Sequence, residues 1–202
     1  MMKRLLLLLP VVFLSLTLSA QKDQERQTYN QRMNEISRNG MISLGSWAVV
    51  NIGVGTAGYF TTKGDLQYFH GMNALWNLTN LGIAIPGYLG STSSNDDIPS
   101  LYDLTQSQKS TEITYMVNAG IDVGYIMGGL YMNELSKNVD HYNNILSGFG
   151  KAIIVQGSYL LVFDGIMYAI HSNHASSQMP ELFEHVSIAP KGLGMRITVS
   201  FR

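Results

Sequence analysis

The chain has 202 residues, 46% of them apolar and only 13% charged, with a net charge of −1 and no cysteine. That length points to a single domain, and the charge balance excludes the strongly basic surface of a nucleic-acid binder. The missing cysteines exclude disulfides, thiolate metal sites, a cysteine nucleophile and a lipid-modified cysteine.

Residues 1–20, MMKRLLLLLPVVFLSLTLSA, place Lys3 and Arg4 before an apolar run from Leu5 to Leu18 that closes on Ser19 and Ala20. This is the order of a secretory signal peptide, and the run is short for a membrane span of about 20 residues. Cleavage is expected after Ala20, with an uncleaved anchor as the alternative. In both cases Gln21 starts outside the cytoplasm.

Residues 21–40 form a polar, helix-prone lead-in with one narrow apolar stripe, Tyr29, Met33 and Ile36, at i, i+4, i+7. Asn39-Gly40 predicts a break or bend. Residues 41–171 then hold four long stretches almost free of charge: Met41 to Phe60, Phe69 to Gly90, Ile113 to Asn133 and Ile145 to Ile170. Each is long enough to cross a hydrocarbon core of about 30 Å. TTKGDLQ, STSSNDDIPSLYDLTQSQKSTE and ELSKNVDHY join them, and the middle link reads as a solvated loop. Short first and third links favour antiparallel pairing of neighbours. The expected fold is all-α: a four-helix transmembrane bundle of two antiparallel hairpins, with an N-terminal polar helix and a small C-terminal β-hairpin. The hairpin falls in the tail, residues 172–202, where the turn residues APKGLG join HVSIA to a second strand that alternates with period two from Leu193 to Phe201. A late phenylalanine in such a strand also suits an outer-membrane sorting signal, but four helical spans argue against a barrel.

Three stretches share an Asn-Gly frame: NIGVGTAGY from Asn51, NLGIAIPGY from Asn80 and the shorter NAGIDVGY from Asn118. In lipid, helices associate through close packing at small residues and through polar side chains that find partners. On the second stretch His70, Asn73, Asn77 and Asn80 fall within a stripe about 80° wide, counting 100° per residue. An amide turned to lipid would be left unsatisfied, so this stripe must face protein or water. Asn51, Asn80, Asn118 with Asp122, and Gln156 lie near the middle of their stretches, which predicts a buried polar layer. Asp122 is expected to be neutral, or to accept hydrogen bonds from Asn51, Asn77 or Asn80, or to bind a proton or cation. Asp164 shares a face with Tyr168 and His171. Gly120, Gly124 and Gly128 form a ridge opposite Asp122, expected to be contacted and suited to a homo-oligomer.

The five histidines give no metal or cofactor site. Only His70 and His141 share a depth suited to haem, and His141 lies in a polar link. HSNH, His171 to His174, offers two imidazoles for a surface metal but no third ligand. HExxH, GxSxG and P-loop patterns are missing. The orientation is conflicted: a signal peptide puts most mature Lys and Arg outside, whereas the charge rule prefers them inside.

The segment Leu44 to Ala84, and above all YFHxMNxxWNxxN at Tyr68 to Asn80, resembles an uncharacterised family of small bacterial membrane proteins with four predicted spans. The likeness extends over about Met33 to Ile170. It implies His70, Met72, Asn73, Trp76, Asn77 and Asn80 as the family's signature. A larger polar residue commonly precedes Met72 in that pattern, where this chain has Gly71, so any role of that position is in doubt. The resemblance implies a topology and no activity. The expected function is a non-enzymatic structural or interaction module in a bacterial membrane, the inner one, with an exported N-terminus and the lipid bilayer as its surroundings. The alternatives are a small transporter or channel working through a midplane Asp/Asn/His site, with Asp122 as the titrating group, and an exported helical bundle that binds an apolar ligand.

Overall fold

The computed structural model describes the backbone of residues 2–93, 97–183, 186–191 and 194–199, and the side chains of 20–93, 97–180 and 182. Four helices dominate: α1 (Met2–Thr61), α2 (Asp65–Thr92), α3 (Leu101–Leu135) and α4 (Asn143–Phe183). A 3-10 turn, Ser136–Asn138, follows α3. Strands β1 (Val186–Lys191) and β2 (Gly194–Val199) pair antiparallel, Val186 opposite Val199 and Lys191 opposite Gly194. The expected tail hairpin covers this segment, but its side chains and turn lie outside the described residues, as do the side chains of the signal segment before Ala20.

The chain turns between α1 and α2 at Gly64, whose φ of 65° suits a residue without Cβ. Helix α1 packs along α2, α3 packs along α4, and α2 against α4 joins the two pairs. Contacts such as Gly55 with Ala74 and Gly45 with Ala84 run α1 antiparallel to α2. Gly129 with Gly150 and Gly157 with Ile126 do the same for α3 and α4. Helices α2 and α3 do not pack along their lengths.

Close approach explains the glycines. A Cβ on Gly129 would lie 2.7 Å from the Gly150 carbonyl oxygen, and one on Gly150 equally close to that of Gly129. The two backbones are therefore in direct contact, as expected where small residues let helices meet. Gly55 does the same for α1 on α2, where a Cβ would lie 2.7 Å from the His70 carbonyl oxygen.

Four expectations are corrected. Helix α1 runs unbroken through Asn39-Gly40; Gly40 instead makes room for Met167 of α4, whose Cε would lie 2.5 Å from an added Cβ. The link after α2 is shorter than expected, because α3 already begins at Leu101. Ser100 caps it: its Oγ accepts from the Asp103 amide at 3.1 Å, leaving fewer amides unsatisfied. Helix α4 does not end at His171 but runs on to Phe183. Its extension from His171 onward contains no glycine, and both His171 and His174 are buried. Among the described residues the Gly120, Gly124 and Gly128 ridge meets nothing: an added Cβ at any of the three has no neighbour within 4 Å.

The extensions of α1, α3 and α4 form the apolar core at one end of the bundle. Tyr29, Met33 and Leu104 cluster with Met179 and Leu182. Ile36, Tyr115 and Met167 cluster with Phe163 and Tyr168. The apolar stripe of the lead-in segment, Tyr29, Met33 and Ile36, is thus part of this core.

Candidate functional site

The asparagine stripe of α2 faces inward. Asn73, Asn77 and Asn80 are 4%, 0% and 3% exposed. Each interior turn of α2 can hold an amide only if its hydrogen bonds are met. Asn77 Nδ2 donates to the Asn73 carbonyl at 2.8 Å, and Asn80 Nδ2 donates to Asn77 Oδ1 at 3.1 Å. These two bonds stay within α2. The link between helices is made by Gln156 of α4, which is fully buried. Its Nε2 donates to Asn73 Oδ1 at 2.6 Å, and its Oε1 accepts from Trp47 Nε1 of α1 at 3.0 Å. Trp47 stacks on Tyr159 of α4 with ring centroids 3.9 Å apart. One chain of hydrogen bonds therefore ties α1, α4 and α2.

Asp122 does not meet these amides. It faces Asp164, and the two carboxyls lie in hydrogen-bond contact. Both are buried, at 3% and 5% exposure, and no donor among the described residues reaches Asp122 Oδ2. Antiparallel packing of α3 on α4 brings them to the same level. The sequence-expected partners of Asp122 (Asn51, Asn77, Asn80) are engaged otherwise: Asn51 Nδ2 donates at 2.9 Å to the Trp47 carbonyl of its own helix. Asn118 is exposed, one turn from Asp122. His70 sits beneath Gly58, whose missing side chain leaves space for its ring.

Beside the acid pair is a cavity of about 600 Å³. Asn80, Asn118, Asp122 and Asp164 line it with polar groups, together with the hydroxyls of Ser37, Thr79, Ser110, Thr111 and Thr114, and Trp76, Tyr115, Tyr125 and Phe163 are its aromatic residues. Met41, Leu44, Ile83, Gly87, Ile121 and Leu160 line the remainder. The cavity occupies the gap that α2 and α3 leave, crossed where Trp76 meets Tyr125 edge-on at 4.8 Å. Its rim residues Thr79, Ile83, Thr114, Asn118 and Ile121 are exposed, so it opens through the side of the bundle. Of the candidate residues, the structure thus gathers Asn80, Asn118, Asp122 and Asp164 at one cavity and Asn73 at the Gln156 link. Asn51 and His70 belong to neither.

The region matched by a family model runs over residues 43–165. The chain belongs to DUF6992, a family of unknown function. The matched stretch holds Trp47, the Tyr68 to Asn80 string, Gln156 and both buried acids. Comparison with curated proteins and with solved structures returns no match. Membership of an uncharacterised family agrees with the resemblance drawn from the Tyr68 to Asn80 string.

A second buried polar cluster lies beyond the apolar stretches. His171 is fully buried and His174 is 5% exposed. Tyr115 stacks on His171 and Tyr29 on His174, with centroids 5.6 Å and 4.3 Å apart. Tyr29 donates to Gln108 Oε1 at 3.1 Å, while Gln108 Nε2 donates to Glu112 and to the His171 carbonyl, at 2.8 and 2.9 Å. Ser37 Oγ lies 3.4 Å from His171 Nε2, and His171 Nδ1 has no partner. Burial, with His174 nearby, pushes the His171 pKa down to about 4. Burial, then Glu112, pushes the Tyr29 phenol up to about 12. The HSNH pair is therefore internal, not a surface metal site, and no group of three metal-ligating side chains forms among the described residues. Gln108 and Trp47 gave no signal in the sequence beyond being polar-tipped residues beside apolar runs.

Two helices, Ala20–Thr61 and Asn143–Pro180, are long and apolar enough to cross a membrane by length and composition, the most apolar 18 residues of each having mean hydropathies of 1.3 and 1.6. Helices α2 and α3 do not meet that measure, where the sequence pattern predicts four spans.

Proposed function

We propose that the protein is a membrane-embedded, non-enzymatic binding module that takes a small ligand through the side of its bundle. The observation that carries this reading is an inverted burial pattern around a cavity. Asn73, Asn77, Asn80, Asp122, Gln156 and Asp164 are buried, while Val49, Val50, Val54, Leu75, Leu78, Ile85, Val117, Val123, Met127, Leu130 and Val162 are exposed. A soluble bundle sorts its residues the other way. A large exposed apolar surface instead suits lipid or partner contact. The cavity has the volume and the lining of a small-molecule site: mostly apolar, with a few convergent polar groups.

On this reading all four apolar stretches span the bilayer and the stretch in α4 ends at Ile170. The 38 residues Asn143–Pro180 would measure about 57 Å at 1.5 Å per residue, so one end of α4 projects beyond a core of about 30 Å. His171, His174, Gln108 and Glu112 belong to that projecting layer, and the tail hairpin follows it. The inner membrane with an exported N-terminus is the placement that fits residues 1–20. The exposed ridge of Gly120, Gly124 and Gly128 offers a second copy a close-packing face.

Alkaline carbonate extraction tests the membrane placement: the protein stays with the membrane pellet, and its release without detergent would support an exported bundle instead. For the cavity, a brominated long-chain alcohol should quench Trp76 saturably in nanodiscs, and only linear, partition-type quenching would reject a site. A transporter is the second reading, favoured by the contact between two buried carboxyls. Proton-coupled flux in proteoliposomes, lost in Asp122→Asn and Asp164→Asn, would establish it.

A further inference from the structure

We infer that the α2–α3 cavity selects an amphipathic organic cation: an ammonium head on the Asp122–Asp164 pair with an apolar tail directed to the cleft mouth. This rests on the binding-module reading above and names its ligand class. The first ground is charge. Two carboxyls in contact cannot both be ionised without a cation beside them or a proton between them, because like charges at that separation repel strongly. The residues lining the cavity include no lysine, arginine or histidine. With one proton shared the pair still carries one negative charge, buried in surroundings where an uncompensated charge is costly. No donor among the described residues reaches Asp122 Oδ2, and Asp122 is 3% exposed. A ligand that brings both a positive charge and N–H or polarised C–H groups meets both needs.

The second ground is independent of the acids. Four aromatic residues, Trp76, Tyr115, Tyr125 and Phe163, line the same cavity. Aromatic faces attract organic cations through the ring quadrupole, and more strongly where water is excluded. A small, strongly hydrated metal ion would gain little from these walls, which lack a third ligating acid or imidazole. Ile83 and Ile121, at 55% and 47% exposure, give the mouth apolar surface beside Thr79, Thr114 and Asn118, along which a tail can pass. An anionic amphiphile would place its head against two acids, and a neutral one would leave the pair's charge unanswered.

The test uses full-length protein in phosphatidylcholine nanodiscs with a brominated dodecanol quenching tryptophan fluorescence. Dodecyltrimethylammonium, dodecanol and dodecanoate are then compared as competitors, with empty nanodiscs correcting for partition. The ammonium should compete at a concentration at least about 10-fold below that of dodecanol, with dodecanoate weakest. Asp122→Asn and Asp164→Asn should erase the ammonium's advantage while leaving dodecanol competition in place. Equal competition by ammonium and alcohol, or preference for dodecanoate, overturns the cation assignment and leaves the cavity reading standing. If quenching is not saturable at all, both are overturned. The comparison of competitors on the unmodified protein decides the matter even where a variant fails to fold.

Discussion

Replacing Gln156 by leucine should loosen the bundle more than replacing any asparagine of α2. The side chain is fully buried and makes two bonds to other helices, accepting from Trp47 at 3.0 Å and donating to Asn73 at 2.6 Å. Leucine restores the volume but leaves the indole N–H and the Asn73 oxygen without partners. Hydrogen bonds between helices in membranes average about 0.6 kcal/mol and reach about 1.7. Two such losses give a cost of about 1–3 kcal/mol. Asn77→Leu should cost less, although Asn77 is as deeply buried, because both of its bonds stay inside α2. Asn51→Leu should cost under about 0.5 kcal/mol, since only its own helix loses a side-chain bond to a carbonyl that is already paired. Reversible unfolding in mixed micelles, followed by circular dichroism, orders the three variants. A cycle of Trp47→Phe with Gln156→Leu should give a coupling of about 0.5–1.5 kcal/mol. If Asn77→Leu proves as costly as Gln156→Leu, or the coupling vanishes, the three-helix link does not hold the bundle.

The remaining expectations address other parts of the molecule. The His171 pKa is depressed to about 4 in the folded state against about 6.5 unfolded, so the unfolded chain binds the proton first. Stability is therefore full above pH 6.5 and is lost as the pH falls toward 4, by about 3 kcal/mol from this residue; unfolding at pH 7.5 and pH 4.5 measures it, and a His171→Gln variant should flatten the profile. Gly150→Val should prevent stable folding or cost more than about 3 kcal/mol, because its Cβ would strike the Gly129 carbonyl. Gly124→Val should leave monomer unfolding within about 0.5 kcal/mol of the parent and alter only self-association, read by cross-linking in nanodiscs. Lys151→Ala removes the 2.6 Å bond to Asp65, which holds that carboxyl below its usual range. Both partners are partly exposed, so a loss below about 1 kcal/mol is expected.

The helical architecture was legible because it rests on local signals. Four stretches almost free of charge, with short outer links, specify two hairpins, and Tyr29, Met33 and Ile36 at i, i+4, i+7 share one face of α1. The asparagine stripe was legible for the same reason, since spacing on one helix sets which residues share a face. Partners across helices were not legible. Which polar group Asp122 meets depends on the register of α3 against α4, fixed by contacts such as Gly129 on Gly150 that single-sequence spacing cannot rank above Gly120, Gly124 and Gly128. The longer glycine series is the more regular, yet it faces outward, while the irregular set packs. The ends of α3 and α4 were misplaced because composition turns polar at Ser110 and His171 before the helices end. There the helices leave the apolar layer but continue to pack, through Leu104 and Gln108 on one side and His171 and His174 on the other.

On the membrane reading, that only two of the four helices reach the hydropathy expected of a span follows from the same geometry. Hydropathy averages around the whole circumference of a helix, whereas lipid meets only its outer face. In α2 the outward residues include Leu75, Leu78, Ile83, Ile85 and Leu89, all more than half exposed. The inward ones are Asn73, Asn77 and Asn80. In α3 the outward set includes Val117, Val123, Met127 and Leu130, and the inward one contains Asp122. The average is lowered by side chains that a bilayer would never touch. Those side chains cannot be exchanged for leucine to raise the average, because lipid gives apolar helices no reason to prefer one another. On the membrane reading, the groups that make α2 and α3 look too polar to span are the ones that determine where each helix binds its neighbour and what the cleft between them can hold.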